Sequence, residues 1–232
     1  MSFNAFAINE SDSLPTIYLF SGQGSDYRIF GKFDSDDPYK LVYINYPVPG
    51  KDACMQSYAQ TLLNQIDTSK ECILIGVSLG GMLASEISEL IDPVSTIIVS
   101  SAKSRHELPL RYKIFEYIPV YKIIPPVLFK IGALIVQPLF EPDRINDKET
   151  FSAMLKAKNP KFLKRSVGMI VNWDRRCNTN TIIHIHGDMD NTLPVKRIKA
   201  DYIVPSGSHM MILTRAEEVN RIINSVLMSI KE

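Results

Sequence analysis

Apolar positions along this chain fall into two alternating patterns. Runs that are apolar at nearly every position lie at Thr16–Ser21, Leu41–Asn45, Cys72–Val77, Thr96–Ser100, Thr181–His186 and Ala200–Val204. A short run without polar alternation is what a strand buried on both faces of a sheet requires. Between these runs, Ala53–Ile66, Leu79–Ile91 and Arg215–Ile230 place apolar residues at helical spacing. The alternation predicts an α/β fold, with a mostly parallel sheet and helices on both faces. An edge strand over Phe3–Ile8 is also expected. Only about 15 residues precede the first clear strand, too few for a full antiparallel hairpin before it.

One interval breaks the rhythm. About 80 residues separate the strand ending near Ser100 from the one starting at Thr181, whereas a crossover needs only about a dozen. The excess, Ala102 to Val171, predicts an insertion within a single domain spanning residues 1–232. Its first half carries Pro109, Pro119, Pro125, Pro126, Pro138 and Pro142, so its helices are expected to be short and broken. It is also rich in large apolar residues, among them Ile114, Phe115, Ile118, Ile123, Leu128 and Phe129.

Charge sharpens this division. The whole chain of 232 residues carries a net charge of +1, which gives no global reason to expect nucleic-acid binding. Between Lys103 and Arg176, however, 15 Lys/Arg face 7 Asp/Glu, a net +8, and the remainder is net −7. The insertion is either a solvated basic face or a cover that attracts an anionic or lipid-like ligand. The longest uncharged apolar run within it, Ile131 to Phe140, is too short to span a bilayer. The opening MSFNAFAINE lacks the basic and apolar regions of a signal peptide, so a cytoplasmic location is expected. Cys54, Cys72 and Cys177 are widely spaced, odd in number and form no C-x-x-C pair, so they indicate neither a disulfide framework nor a zinc ribbon.

Candidate chemistry centres on CILIGVSLGGMLASEIS. A buried strand runs into Gly76-Val77-Ser78-Leu79-Gly80 and a helix follows at once, which is G-x-S-x-G in its strand–turn–helix context. A serine on such a turn is held in a strained conformation with its hydroxyl clear of the sheet. The residues two before and two after it must be small, or strand and helix collide. The helix N-terminus also turns free N–H groups and the positive end of its dipole toward the reacting centre.

On these residues the chain resembles the α/β-hydrolase superfamily over nearly its whole length. The resemblance implies a nucleophile, an acid and a base in the chain order Ser, Asp/Glu, His. After the strand Ile182–His186, the turn Gly187-Asp188-Met189-Asp190-Asn191-Thr192-Leu193-Pro194 is similar to the superfamily's G-x-x-D-x-x-x-P signature and implies Asp190 as the acid. Asp188, the competing carboxylate, is expected to cap the turn. After the last strand, Pro205-Ser206-Gly207-Ser208-His209 implies His209 as the base. The loop Phe20-Ser21-Gly22-Gln23-Gly24 resembles the H-G-x-G loop with Ser21 in place of histidine. By this resemblance the oxyanion donors are the backbone N–H groups of Gln23 and Leu79. Neither a metal nor an organic cofactor is implied.

His184-Ile185-His186-Gly187-Asp188 also resembles the H-x-H-x-D start of a metallo-β-lactamase metal site, because alternate strand residues face the same way. The next histidine of that pattern is absent, with Met189 in its place, and the chain has four histidines in all. Structural hydrogen bonds near the acid loop are the preferred reading of the pair. Asp26, Tyr27, Arg28 and Phe30 either anchor the Gln23 loop by a salt bridge or line the pocket entrance. Trp173 is read as a hinge packed on the body. Together these features imply an α/β-hydrolase domain with a helical lid at 102–171. It would cleave a small-molecule carboxylic ester or thioester through an acyl-enzyme. The contrasting possibility is a non-catalytic member of the same fold that binds a ligand or partner.

Overall fold

The computed structural model describes residues 14–140 and 147–231. Six strands, β1 Thr16–Phe20, β2 Leu41–Tyr43, β3 Cys72–Val77, β4 Ser95–Val99, β5 Ile182–Gly187 and β6 Tyr202–Val204, form one sheet. Their order is β2-β1-β3-β4-β5-β6 and every pairing is parallel. The chain lays β2 on one side of β1 and then returns to place β3 on the other. Sequence order therefore reverses between β1 and β3, and at such a switch the loops part to leave a crevice beyond the carboxyl ends of the strands. The edge strand expected at Phe3–Ile8 falls outside the described residues.

The six strands expected between Thr16 and Val204 form, with the outer ones shortened: β2 stops at Tyr43 and β6 starts at Tyr202. The central strand β3 is buried at every position. Its residues alternate between two cores. Cys72 and Leu74 join Tyr18 and Phe20 of β1 on one face, under α1 (Met55–Leu62) and α2 (Leu79–Ser88). Ile73, Ile75 and Val77 join Ile17 and Leu19 on the other, under α7 (Met211–Thr214) and α8 (Ala216–Ser229). Helices thus cover both faces, which is why the strands read as continuous apolar runs.

Between β4 and β5 come α3 (Leu110–Tyr117), α4 (Pro126–Phe140), α5 (Lys148–Ala157) and α6 (Pro160–Val171). Prolines were expected to keep the helices of the first half short. That holds for the eight-residue α3, set between Pro109 and Pro119. It fails for α4, which runs 15 residues. The physical reason is placement: Pro126 occupies the first helical position, where no hydrogen bond is lost, and the next proline, Pro138, comes only two residues before the helix ends. The segment is pinned where it ends. Trp173 is fully buried and its indole N–H donates to Glu86 Oε1 of α2 (2.6 Å). Arg175 clasps the same carboxylate through Nε and Nη2, each at 2.7 Å. This satisfies a buried charge that would otherwise be costly.

β5 carries two fully buried histidines, His184 and His186, on one face. His186 Nε2–H donates to the Leu193 carbonyl (2.8 Å), so its Nδ1 accepts from His184 Nε2–H (3.2 Å). His184 Nδ1 then has no partner among the described residues. Burial is the main reason both imidazoles are held below the ordinary histidine pKa, His184 well below it. An unfolded histidine takes up its proton near pH 6.5. The unfolded chain therefore binds more protons than the native one below that pH, and stability falls as pH drops through about 6.5. Two such groups predict a measurable decline in stability as pH falls from about 6.5 to about 5.5. Urea unfolding midpoints across that window measure it; a flat profile would mean that the pair protonates in the folded state.

Candidate active site

The nucleophile candidate sits where β3 gives way to α2. Ser78 has φ 53° and ψ −120°, a left-handed backbone unusual for a residue with a side chain. Two glycines permit this turn. A Cβ on Gly76 would lie 2.4 Å from the Gly80 carbonyl oxygen, and one on Gly80 would lie 2.1 Å from that of Phe20. Both obstacles are backbone, so neither position can accept a side chain without moving strand or helix. The turn is then stapled to β4. Ser78 N–H donates to the Val99 carbonyl (3.1 Å), and the Ser78 carbonyl accepts from Ser101 Oγ (2.6 Å) and from Gly81 N–H (2.9 Å).

Asp190 and His209 converge on this serine from the ends of β5 and β6. Asp190 is buried, and its Oδ1 accepts from the N–H groups of Thr192 (2.8 Å) and Leu193 (2.7 Å). Its Oδ2 accepts from His209 Nδ1–H (2.8 Å), which leaves His209 Nε2 to accept from the Ser78 hydroxyl (2.8 Å). Burial alone would raise the Asp190 pKa. The His209 imidazole, reinforced by His186 and the Leu193 N–H, outweighs it and holds the carboxyl below its ordinary value. The carboxylate form is therefore the one present at neutral pH.

Asp188 stands apart from this set. Its Oδ1 accepts from Ser206 N–H (2.7 Å), tying the loop after β5 to the loop after β6. It caps as expected, but it caps the loop leading to His209 rather than its own turn. Asp26 and Arg28 form a two-pronged salt bridge, Nε to Oδ1 at 2.9 Å and Nη2 to Oδ2 at 2.6 Å, just after the Gln23 loop. The expected salt bridge forms, but between these two neighbours, and none of Asp26, Tyr27, Arg28 and Phe30 lines the cavity at Ser78. The histidine pair of β5 lies beneath the acid, with His186 Nε2 3.5 Å from Asp190 Oδ2. Among the described residues, no cluster of three or more His, Cys, Asp or Glu side chains has the geometry to hold a metal ion.

The loop bearing Gln23 lies against the serine: a Cβ on Gly22 would be 3.4 Å from that of Ser78. Leu79 heads α2, so its N–H has no helical acceptor behind it. The Gln23 side chain reaches the other way, its Nε2 donating to the Leu163 carbonyl (2.9 Å) and Ser166 Oγ (2.8 Å) of α6. Ser78 and His209 open onto a cavity of ≈ 280 Å³ whose far wall is Tyr112, Phe129, Ala133, Leu163 and Ile170. Arg111 also lines it and donates to the Thr192 carbonyl beside the acid. Sequence reading missed Arg111, Tyr112 and the Gln23–Ser166 link, because no local spacing signals a contact between residues so far apart in the chain.

The model of an uncharacterised protein family (UPF0227) matches residues 37–109, from just before β2 to beyond β4. None of the curated proteins matches this chain. Among solved structures, a hydrolase from Pseudomonas aeruginosa PA01 is similar, with a TM-score of 0.70 and 15% identity, covering 93% of this chain and 90% of that one. MenH from S. aureus gives a TM-score of 0.68 at 15% identity over 94% and 95% of the two chains. A thermophilic esterase from Thermogutta terrifontis gives 0.67 at 14% identity over 94% and 90%. With the parallel sheet and its β1/β3 crevice, this likeness establishes the architecture: the chain has the α/β-hydrolase fold.

Proposed function

We propose that this chain is a serine hydrolase that cleaves a small-molecule carboxylic ester or thioester. The observation that carries the reading is the unbroken hydrogen-bond line from Asp190 through His209 to Ser78, each link 2.8 Å. In the proposed reaction Ser78 Oγ attacks the substrate carbonyl while His209 Nε2 takes its proton. Asp190 orients the ring and stabilises the imidazolium. The tetrahedral oxyanion would be held by the N–H groups of Gln23 and Leu79. Collapse expels the leaving group, which takes the proton from His209 Nε2, and leaves an acyl group on Ser78. Water, deprotonated by His209, then attacks that acyl carbon and releases the acid and the free serine. Every proton is carried by His209, so these steps need no cofactor.

In this reading 1–232 is a single domain and residues 102–171 form a lid. The apolar wall that α3, α4 and α6 place opposite Ser78 supports it, because such a wall suits the acyl part of the substrate. The esterases among the similar structures support the reaction class.

Ser78→Ala is expected to lower kcat by several orders of magnitude, about 10⁴-fold or more, with the unfolding midpoint near that of the parent. A panel of p-nitrophenyl and coenzyme A esters reads the activity, and a fluorophosphonate probe should label the parent but not the variant. Activity within tenfold of the parent would remove Ser78 from the mechanism. The two aspartates should separate cleanly. Asp190→Asn should cost about 10⁴-fold in kcat by favouring the wrong His209 tautomer. Asp188→Asn should leave kcat within a few-fold and cost about 1 kcal/mol of stability through the weakened Ser206 contact. Parallel kinetics and urea titrations of the two variants decide this, and the reverse pattern would exchange their roles.

A further inference from the structure

Helix α4 is apolar on both sides. Phe129 and Ala133 face the cavity at Ser78, while Leu128, Ile131 and Ile135 are exposed to solvent. The approach to α4 is exposed and apolar as well: Tyr117 is 83% exposed, Ile118 61% and Ile123 82%. These elements share one support. α4 and α3 pack along α6, and Lys164 of α6 donates to the Lys122 carbonyl in the turn between them. A helix that is apolar all round is normally buried, and a contiguous exposed apolar surface marks a docking face.

Charge indicates what covers it. From Tyr117 to Phe140 there is no Asp or Glu, and the charged residues are Lys122 and Lys130. Beside the ridge lies a cavity of ≈ 630 Å³ lined by Lys51, Lys122, Lys161, Lys164 and Arg165, with Asp52 its one acid among the described residues. An apolar ridge rimmed by lysines matches the boundary of an anionic bilayer, where apolar side chains enter the acyl region and ammonium groups stay with the phosphates. A second copy of this chain fits poorly, because it would set one net +8 segment against another. The mode is peripheral. α4, about 22 Å long at 1.5 Å per residue, would lie in the plane of the surface, and no helix among the described residues is long and apolar enough to cross a membrane.

We propose that the outer face of α3 and α4 docks onto an anionic lipid surface, with the Lys122–Lys161–Lys164 rim meeting lipid phosphates. This goes beyond the hydrolase reading and does not depend on it, so binding is measured on the Ser78→Ala chain. Co-sedimentation with phosphatidylcholine vesicles, with and without phosphatidylglycerol, is the test. The expected result is retention by the anionic vesicles alone, weakened by added salt. Ile123→Asp/Ile131→Asp, both at exposed positions, should reduce it by about tenfold or more. Lys122→Glu/Lys161→Glu should reduce it as well, with an unchanged circular dichroism spectrum for each variant. Three results would overturn the proposal: no retention by anionic vesicles, equal retention by neutral ones, or retention unaffected by either pair of substitutions. Self-association in sedimentation velocity, lost in Ile123→Asp/Ile131→Asp and without vesicle binding, would instead assign the face to a second copy.

Discussion

The contact between α2 and the end of β1 governs the rest of this structure. Gly80 sits so close to the Phe20 carbonyl that a single methyl group would lie 2.1 Å from it. That approach lets a helix start one residue after a buried strand ends, with Ser78 alone in the turn. A backbone held at positive φ costs about 1–3 kcal/mol. Here the hydrogen bond from Ser78 N–H to Val99, and those that the Ser78 carbonyl accepts from Ser101 and Gly81, offset the cost by fixing the turn on both sides. The strain and its compensation lie at the β1/β3 reversal, where the sheet leaves a crevice. Fold and candidate site therefore share one origin: the glycines that make the turn possible also put the hydroxyl at the mouth of the crevice.

The acid and base depend on a second, softer arrangement. β5 and β6 are neighbours, with Gly187 opposite Val204, so the loops leaving them run side by side. Met189 N–H bonds the Gly207 carbonyl and Asp188 bonds Ser206 N–H, locking the two loops together before either functional residue is reached. Asp190 is then aimed by the Thr192 and Leu193 N–H groups on one oxygen, leaving the other for His209. His186 supports the same turn from below through the Leu193 carbonyl. A neutral imidazole suits that place: a charged one would compete with His209 for Asp190, and burial keeps it neutral.

Local chemistry explains what was legible in the sequence. The six strands were visible because strands covered on both faces carry no polar alternation, and the turn at Ser78 because sterics require small residues at fixed offsets. Asp190, His209 and Ser78 could be placed by resemblance, and the geometry brings all three within hydrogen-bond reach. The Gln23 and Leu79 backbones lie in the loop beside Ser78 and at the head of α2 respectively. The length of α4 was misread because a proline at the first helical position breaks nothing, and sequence alone does not say that Pro126 stands there. The Glu86–Trp173–Arg175 cluster and the Gln23–Ser166 link were out of reach altogether. Each joins residues roughly 90 to 140 positions apart, and neither leaves a periodic trace.

Those unread contacts determine how the segment between β4 and β5 relates to the sheet. It leaves and returns through one neck: Arg105 N–H bonds the Arg175 carbonyl, and Arg105 Nη1 bonds the carbonyls of Val171 and Trp173. With Trp173 buried against Glu86, this neck belongs to the core. Farther out, some polar ties to the body are single hydrogen bonds at partly exposed positions, such as Arg165 to the Pro49 carbonyl and Lys32 to Asp147. Surface ties of this kind contribute only about 0–1 kcal/mol each. The stronger ties there are apolar: Phe151 and Met154 of α5 are buried in one core of the sheet, and Phe162 and Leu163 of α6 in the other. Gln23 adds a polar tie at the site itself. Its side chain is bonded to α6 while its backbone belongs to the loop beside Ser78, so a shift of α6 carries the cavity wall and that loop together.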